Sequence, residues 1–98
     1  MKKTLLVALL TVFSVLNANA AELKEGSLYC VSSKKIIAYY DFIERGREDF
    51  AQKLLDKSDC YFKKKAVEVY IKSEQKKYTE VELLAGFTVW TKNENITH

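Results

Sequence analysis

The stretch AVEVYIKSEQKKYTEVELLAGFTVWT, residues 66–91, has the clearest hydrophobic periodicity in the chain. Apolar and polar residues alternate over residues 66–72 and again over residues 78–84, as they do in strands with one buried face. The polar segment between these strands predicts a hairpin loop, and a turn at Gly86 leads into a third strand, residues 87–91. The stretch therefore predicts three consecutive antiparallel strands.

A pair of helices is predicted upstream of these strands. Apolar residues fall on one helical face over residues 34–45 and again over residues 47–57, and Gly46 between them suits a helix end. A short strand is predicted on either side of the pair, at residues 26–31 and at residues 60–62. The chain is thus predicted to be α+β, with a two-helix hairpin inserted after the first of five short strands.

The first twenty residues have the pattern of a secretory signal peptide. Two lysines precede the twelve mostly apolar residues 5–16, and small residues stand before a cut between Ala20 and Ala21. A membrane-spanning helix needs about 20 apolar residues, so this run is short for one. We expect a cleaved leader, residues 1–20, and a periplasmic or secreted single domain, residues 21–98, without a stable membrane span. An uncleaved membrane anchor is the alternative.

The ends of this domain carry weaker patterns than its middle. Residues 21–25 are predicted to be a loose arm next to the leader. Residues 92–98 are predicted to be a polar tail in which only Ile96 plugs the core.

The charge of the domain is close to neutral. The full chain has 16 Lys and Arg against 13 Asp and Glu, and two of the lysines leave with the leader, so 14 face 13. A nearly neutral exported domain has no strong general attraction to nucleic acid, so we expect no nucleic-acid partner. The densest basic run, Lys63-Lys64-Lys65, is interpreted as a solvated turn rather than as a phosphate or lipid site.

The domain has two cysteines, Cys30 and Cys60, in a compartment that we expect to be oxidising. An even number of cysteines there predicts a disulfide, and two cysteines allow only one intramolecular pairing. Closing a loop of about 31 residues restricts the unfolded chain and contributes about 3–4 kcal/mol of stability. A redox pair is the alternative, and the sequence has no Cys-x-x-Cys motif to support it.

Residues 60–96 resemble the bacterial SH3-like domain. The shared elements are a Val-Glu-Val strand (residues 67–69), a polar hairpin, a second strand, a glycine (Gly86), an aromatic strand with a tryptophan (Trp90) and an apolar residue a few positions on (Ile96). The resemblance implies a small SH3-like β-barrel or a bent antiparallel sheet, here with an inserted two-helix hairpin and one disulfide. It also implies binding of a peptide or of cell-wall material.

Few residues for catalysis are present. The only histidine is His98, the last residue, where a chain usually frays, and both cysteines are assigned to the disulfide. The sequence has neither a cysteine or histidine cluster for zinc nor a glycine-rich phosphate loop. Glu80 and Glu82 share a strand face, but exposed carboxylates that face lysines across a sheet are an ordinary arrangement. We therefore predict that the protein is not an enzyme and needs no cofactor or metal.

Aromatic residues are the best candidates for a binding surface. On the predicted strands, Tyr70, Tyr78 and Trp90 fall opposite the rows of valine and leucine, where aromatic rings can anchor a partner. Glu80 and Glu82 are predicted to form a polar rim around them. The alternative is that the helical hairpin packs on this face and makes it a second core layer. Three other aromatic residues have apolar neighbours and are assigned to the core: Tyr40, Phe50 and Phe87.

These features favour an exported, non-catalytic binding module of the bacterial envelope. Its expected partner is a protein, a peptide or peptidoglycan. One alternative is an inhibitor or immunity protein against an exported toxin or wall-degrading enzyme, and another is an accessory subunit of an envelope complex. The sequence leaves the oligomeric state open.

Overall fold

The computed structural model describes residues 20–98, and the predicted leader lies outside them except for Ala20. These residues form seven strands, two α-helices and one 3-10 helix. In chain order the elements are β1 (Ala20–Leu23), β2 (Leu28–Cys30), α1 (Ser33–Glu44), α2 (Glu48–Asp56), β3 (Cys60–Phe62), β4 (Val67–Glu74), β5 (Tyr78–Leu83), β6 (Thr88–Lys92), the 3-10 helix (Asn93–Asn95) and β7 (Ile96–Thr97). In this part of the chain, neither α-helix has the length and apolar character needed to cross a bilayer.

Local sequence signals set the ends of both helices. The hydroxyl oxygen of Ser32 accepts a hydrogen bond of 3.2 Å from the backbone N–H of Lys35, so Ser32 caps α1. Gly46 separates α1 from α2 with a φ of +72°, a backbone conformation that favours glycine. α2 begins with Glu48 and Asp49, whose negative charges suit a helix N-terminus. The predicted helical hairpin is thereby confirmed.

All seven strands belong to one antiparallel sheet with the order β3-β2-β6-β5-β4-β1-β7. The three strands predicted from residues 66–91 are its consecutive members β4, β5 and β6. β3 and β7 are the two edges, and the described strands form no ladder between them, so the sheet does not close into a barrel. The α+β class with an inserted two-helix hairpin is confirmed, whereas the closed form of the SH3-like barrel is not.

Both ends of the described chain differ from the prediction. The expected loose arm is largely strand β1, which pairs with β4 and buries Leu23 completely. The expected polar tail contains the 3-10 helix and β7, and Ile96 pairs with Leu23 and is buried. Strands of four and two residues are too short to show a period of two, so their existence depends on long-range pairing that local periodicity does not report.

One antiparallel ribbon carries the helical hairpin at its tip. Leu23 of β1 pairs with Val67 of β4, and Leu28 of β2 pairs with Phe62 of β3. Five residues separate the two pairs on each side, so the ribbon has the same register before and after the turn at residues 25–26 and the bend at residues 64–65. β4 pairs with β5 on one side of the meander, and β2 pairs with β6 on the other. The ribbon therefore flanks the β5–β6 hairpin on both sides, and the sheet bends to allow this.

The sheet has a core on each face. The inner core lies on the face away from the helices and consists of Ala21, Leu23, Val69, Val81, Val89 and Ile96. The helix-side core lies between the sheet and the helical hairpin and consists of Leu28, Cys30, Ile36, Tyr39, Ala51, Leu54 and Cys60. Cys30 and Cys60 form the predicted disulfide, and both are fully buried. The disulfide thus joins β2 to β3 beneath the helices and closes the loop that contains them.

Candidate functional site

The five residues predicted as a binding surface lie on the sheet face that carries the helices. Strand pairing places Tyr70 opposite Glu82 and Glu80 opposite Trp90. Trp90 and Tyr78 are partly buried and pack against the helix-side core. Tyr70 is 40 % exposed, and Glu80 and Glu82 are half-buried. The structure thus brings the five onto one face, but the helical hairpin covers part of that face.

Trp90 has the surroundings of a packing residue. It pairs with Cys30 of β2 and contacts the cluster formed by the disulfide and by side chains of both helices. Trp90 and Tyr78 therefore belong to a second core layer beneath the helical hairpin, as the alternative interpretation expected. Tyr70 does not belong to that layer and keeps an exposed ring.

A polar pocket of about 350 Å³ lies beside Tyr78. The rings of Tyr40 and Tyr78 are stacked with centroids 6.3 Å apart, and Nζ of Lys92 lies 3.9 Å from the centroid of Tyr40. Burial, followed by the neighbouring Tyr39, raises the pKa of Tyr40 to about 12. The charged residues that line the pocket have both signs: Glu44, Lys76, Lys77, Lys92 and Glu94. The chain's own lysine occupies the aromatic surface, so this pocket favours no single ligand chemistry.

A second cavity, the apolar groove, encloses about 390 Å³ on the face away from the helices. Seven residues line it: Tyr29, Val31, Tyr61, Leu83, Phe87, Thr88 and Val89. The β2–β3 pair supplies one wall, and the β5–β6 hairpin supplies the other. Val89 also belongs to the inner core, so the groove is a continuation of that core into solvent.

The turn between β5 and β6 holds Phe87 in the open. The N–H of Leu83 donates to the carbonyl oxygen of Phe87 at 2.8 Å, and the N–H of Gly86, at a φ of +96°, donates to that of Leu83 at 2.8 Å. Phe87 is 69 % exposed, so its assignment to the core is wrong. Phe87 lies two residues before Val89 and so has the spacing of a residue on the same face. It precedes the start of β6, however, and the described residues leave its ring largely exposed. Phe50, by contrast, is half-buried against Phe42.

Tyr29 and Tyr61 form an aromatic wall of the groove. They are opposite each other on β2 and β3, with ring centroids 5.4 Å apart and planes 21° from parallel. Burial, followed by the neighbouring Tyr61, raises the pKa of Tyr29, so its hydroxyl stays neutral at physiological pH. The pair therefore presents a stacked aromatic surface with two hydroxyl groups that can form hydrogen bonds.

The lining of the groove suits contact with apolar groups. Its polar side-chain atoms are the hydroxyls of Tyr29, Tyr61 and Thr88, and the lining has no carboxylate, amine, imidazole or thiol. Elsewhere in residues 20–98, no group of three or more His, Cys, Asp or Glu side chains is placed to hold a metal ion. A groove of this composition binds by removing apolar surface from water.

Sequence reasoning did not find the residues of the groove. The available signal was the occurrence of two large apolar residues in succession at residues 61–62 and at residues 83–84. Neighbouring side chains on a strand point to opposite faces, so the two members of each couple cannot both be buried in the same core. Local pattern does not tell which face of the sheet the helical hairpin will cover.

No protein-family model, curated protein or solved structure matches this chain. Function is therefore inferred from the geometry of residues 20–98.

Proposed function

We propose that the protein is an exported, non-catalytic binding module of the bacterial envelope that holds apolar side chains of a protein partner in the apolar groove. The observation that carries this proposal is the exposure of several large apolar side chains at one place. Phe87 on one wall of the groove is 69 % exposed, and Val31 and Tyr61 on the facing wall are 49 % and 39 % exposed. Single exposed apolar residues are common, whereas a cluster beside a formed groove is typical of an interaction site.

The lining favours a protein or peptide over a cell-wall polysaccharide. Sugars carry many hydroxyl groups, and burying a hydroxyl is costly unless it finds a hydrogen-bond partner. Only three side chains of the groove offer a hydroxyl, and the other four are apolar: Val31, Leu83, Phe87 and Val89. Moving an aliphatic or aromatic side chain from water onto such a surface is favourable by about 25 cal/mol per Å² of apolar surface buried.

The disulfide supports the proposed location. Cys30 and Cys60 are bonded and fully buried, and structural disulfides persist in the periplasm and outside the cell. Together with the leader expected at residues 1–20, this supports an exported domain that functions after cleavage.

A relationship to the bacterial SH3-like domain is part of the proposal. Its support is the meander of β4, β5 and β6, which the 3-10 helix and β7 follow within the residues that carry the resemblance. The sheet is open and carries an additional helical hairpin. The proposed contact surface is therefore taken from this chain's own groove and not from a ligand site of the family.

The test compares two neighbouring exposed residues. Phe87→Ser removes a ring that lines the groove, and Leu84→Ser removes a similarly exposed side chain of the same turn that does not line it. Each change is at the surface, so each should leave the free energy of unfolding within about 0.5 kcal/mol of the wild type. The exported protein and both variants are immobilised and exposed to envelope extract or to purified peptidoglycan.

We expect the wild type and Leu84→Ser to retain one protein in stoichiometric amount, and Phe87→Ser to retain about tenfold less of it. If all three proteins retained the partner equally, the groove would not be the binding site. Retention of peptidoglycan that depends on Phe87, without a protein, would replace the protein partner with a wall ligand. A retained toxin or wall-degrading enzyme that loses activity on binding would make the module an inhibitor.

A further inference from the structure

We infer that the apolar groove takes an extended partner segment in which apolar side chains are followed by carboxylates. This inference rests on the proposed function, because it specifies the chemistry of the partner at the same groove. The feature that carries it is the lysine run at residues 63–65, which directly follows the β3 wall of the groove.

Lys63 extends the β3 wall beyond Tyr61. The N–H of Lys63 donates to the carbonyl oxygen of Ser27 at 2.8 Å, and its own carbonyl oxygen accepts from the N–H of Gly26 at 2.7 Å. The cross-strand hydrogen bonding therefore continues past the end of β3. Side chains two residues apart on a strand share a face and are separated by about 6.6 Å along it. Lys63 thus follows Tyr61 on the groove face, and the wall ends in a positive charge.

The chain does not neutralise the lysines at this end of the groove. Among the ion pairs of the described residues, none includes a member of the run 63–65. Asp59, just before β3, pairs with Lys35 at 3.3 Å, and Glu25 in the facing segment also makes no ion pair with the run. The positive charge of Lys63, with that of Lys65 two residues further on, is complementary to a segment whose apolar residues lead into Asp or Glu.

The lysines are expected to set selectivity more than total affinity. An exposed ion pair is weak, and each is expected to change Kd by about two- to fivefold at low salt. This contribution fades as salt shortens the Debye length from about 30 Å at 0.01 M to about 3 Å at 1 M. Apolar contact at Phe87 is not screened in this way, so the two contributions are separable by experiment.

The probe for the test is a phage-displayed library of random peptides. Lys63→Gln/Lys65→Gln removes two charges beside the groove. Its matched control, Lys72→Gln/Lys76→Gln, removes two exposed charges from β4 and the turn that follows it. In the sheet, three strands separate β4 from β3. We expect the wild type and the control to select peptides in which aromatic or branched aliphatic residues adjoin Asp and Glu. Lys63→Gln/Lys65→Gln should keep the apolar residues and lose the acidic ones.

A parallel selection on Phe87→Ser separates this inference from the proposed function. Peptides that require Phe87 but show no enrichment of Asp and Glu would refute the acidic segment and leave the groove as the site. Peptides unaffected by Phe87→Ser would refute both. Self-association of the wild type that requires Phe87, with no peptide selected, would assign the groove to a second copy of the chain.

The wild type alone provides a second test that no folding defect can obscure. Fluorescence anisotropy with one selected peptide measures Kd as salt is raised. A rise in Kd of about tenfold over the accessible range is expected from two screened ion pairs. A Kd independent of salt would contradict the role of the lysines.

Discussion

Replacing Trp90 with alanine should destabilise the domain rather than specifically weaken the binding of a partner. Trp90 is the only tryptophan, and its ring packs between β6 and the helical hairpin against the helix-side core. It also pairs with Cys30, which the disulfide holds in place. The side chains around it are therefore restricted in how far they can move to fill the space that alanine would leave.

The magnitude follows from the burial of the ring. Truncating a core tryptophan to alanine costs about 3–5 kcal/mol, and Trp90 is partly rather than fully buried, so we expect about 3 kcal/mol. A domain of this size has a total stability of only about 5 kcal/mol or so. Each kcal/mol shifts its melting temperature by about 4–8 °C, so the expected fall is about 12–24 °C.

Tyr70→Ala is the matched control for this experiment. Tyr70 lies on the same sheet face but is 40 % exposed, and its truncation should cost less than about 1 kcal/mol. Circular dichroism gives the melting temperatures, because Trp90→Ala removes the fluorescent reporter. If Trp90→Ala melted close to Tyr70→Ala, the ring would not support the core. The prediction of Trp90 as a contact residue would then be restored.

Two further predictions concern the disulfide and Tyr40. Cys30→Ala/Cys60→Ala should lower the free energy of unfolding by about 3–4 kcal/mol, because the loop that holds both helices is then open in the unfolded chain; urea unfolding followed by Trp90 fluorescence measures this, and an unchanged midpoint would contradict it. The folded-state pKa of Tyr40, about 12, lies above its ordinary value of 10.0, so the unfolded chain loses this proton first and stability should fall as pH rises through that interval. The urea midpoint should fall less in Tyr40→Phe than in the wild type, and equal falls would exclude Tyr40 as the cause.

Elements with a local signal were predictable from the sequence. β4 and β5 alternate over enough residues to define a buried face, and the helical hairpin has Ser32 at its start and Gly46 between its helices. β1 and β7 have no such signal, because each is defined by the strand that it pairs with far along the chain. The disulfide was predictable because two cysteines in a domain that is expected to be exported allow one intramolecular pairing.

The candidate site was less predictable, as Phe87 and Trp90 illustrate. Sequence reasoning assigned Phe87 to the core and made Trp90 a candidate contact residue, with a second core layer as the alternative for Trp90. In the structure Phe87 is 69 % exposed, and Trp90 is partly buried against the helix-side core. Alternation along β6 correctly separates the two faces, since Trp90 and Val89 point in opposite directions. It does not tell that the hairpin packs on the face of Trp90, or that the inner core ends before it reaches Phe87. Both facts depend on how the whole sheet bends.

The closed loop between the cysteines also shortens the conformational search that the chain makes while it folds. In a reduced chain, Leu23 and Val67 meet only when a segment of about 45 residues closes on itself. Once Cys30 and Cys60 are joined, the shortest covalent path between the same two residues contains about 16 residues. The entropy of loop closure then costs about 1 kcal/mol less, which corresponds to about a fivefold faster first contact between β1 and β4. The helical hairpin becomes a covalent side loop, and its length no longer affects how quickly the two halves of the ribbon find each other.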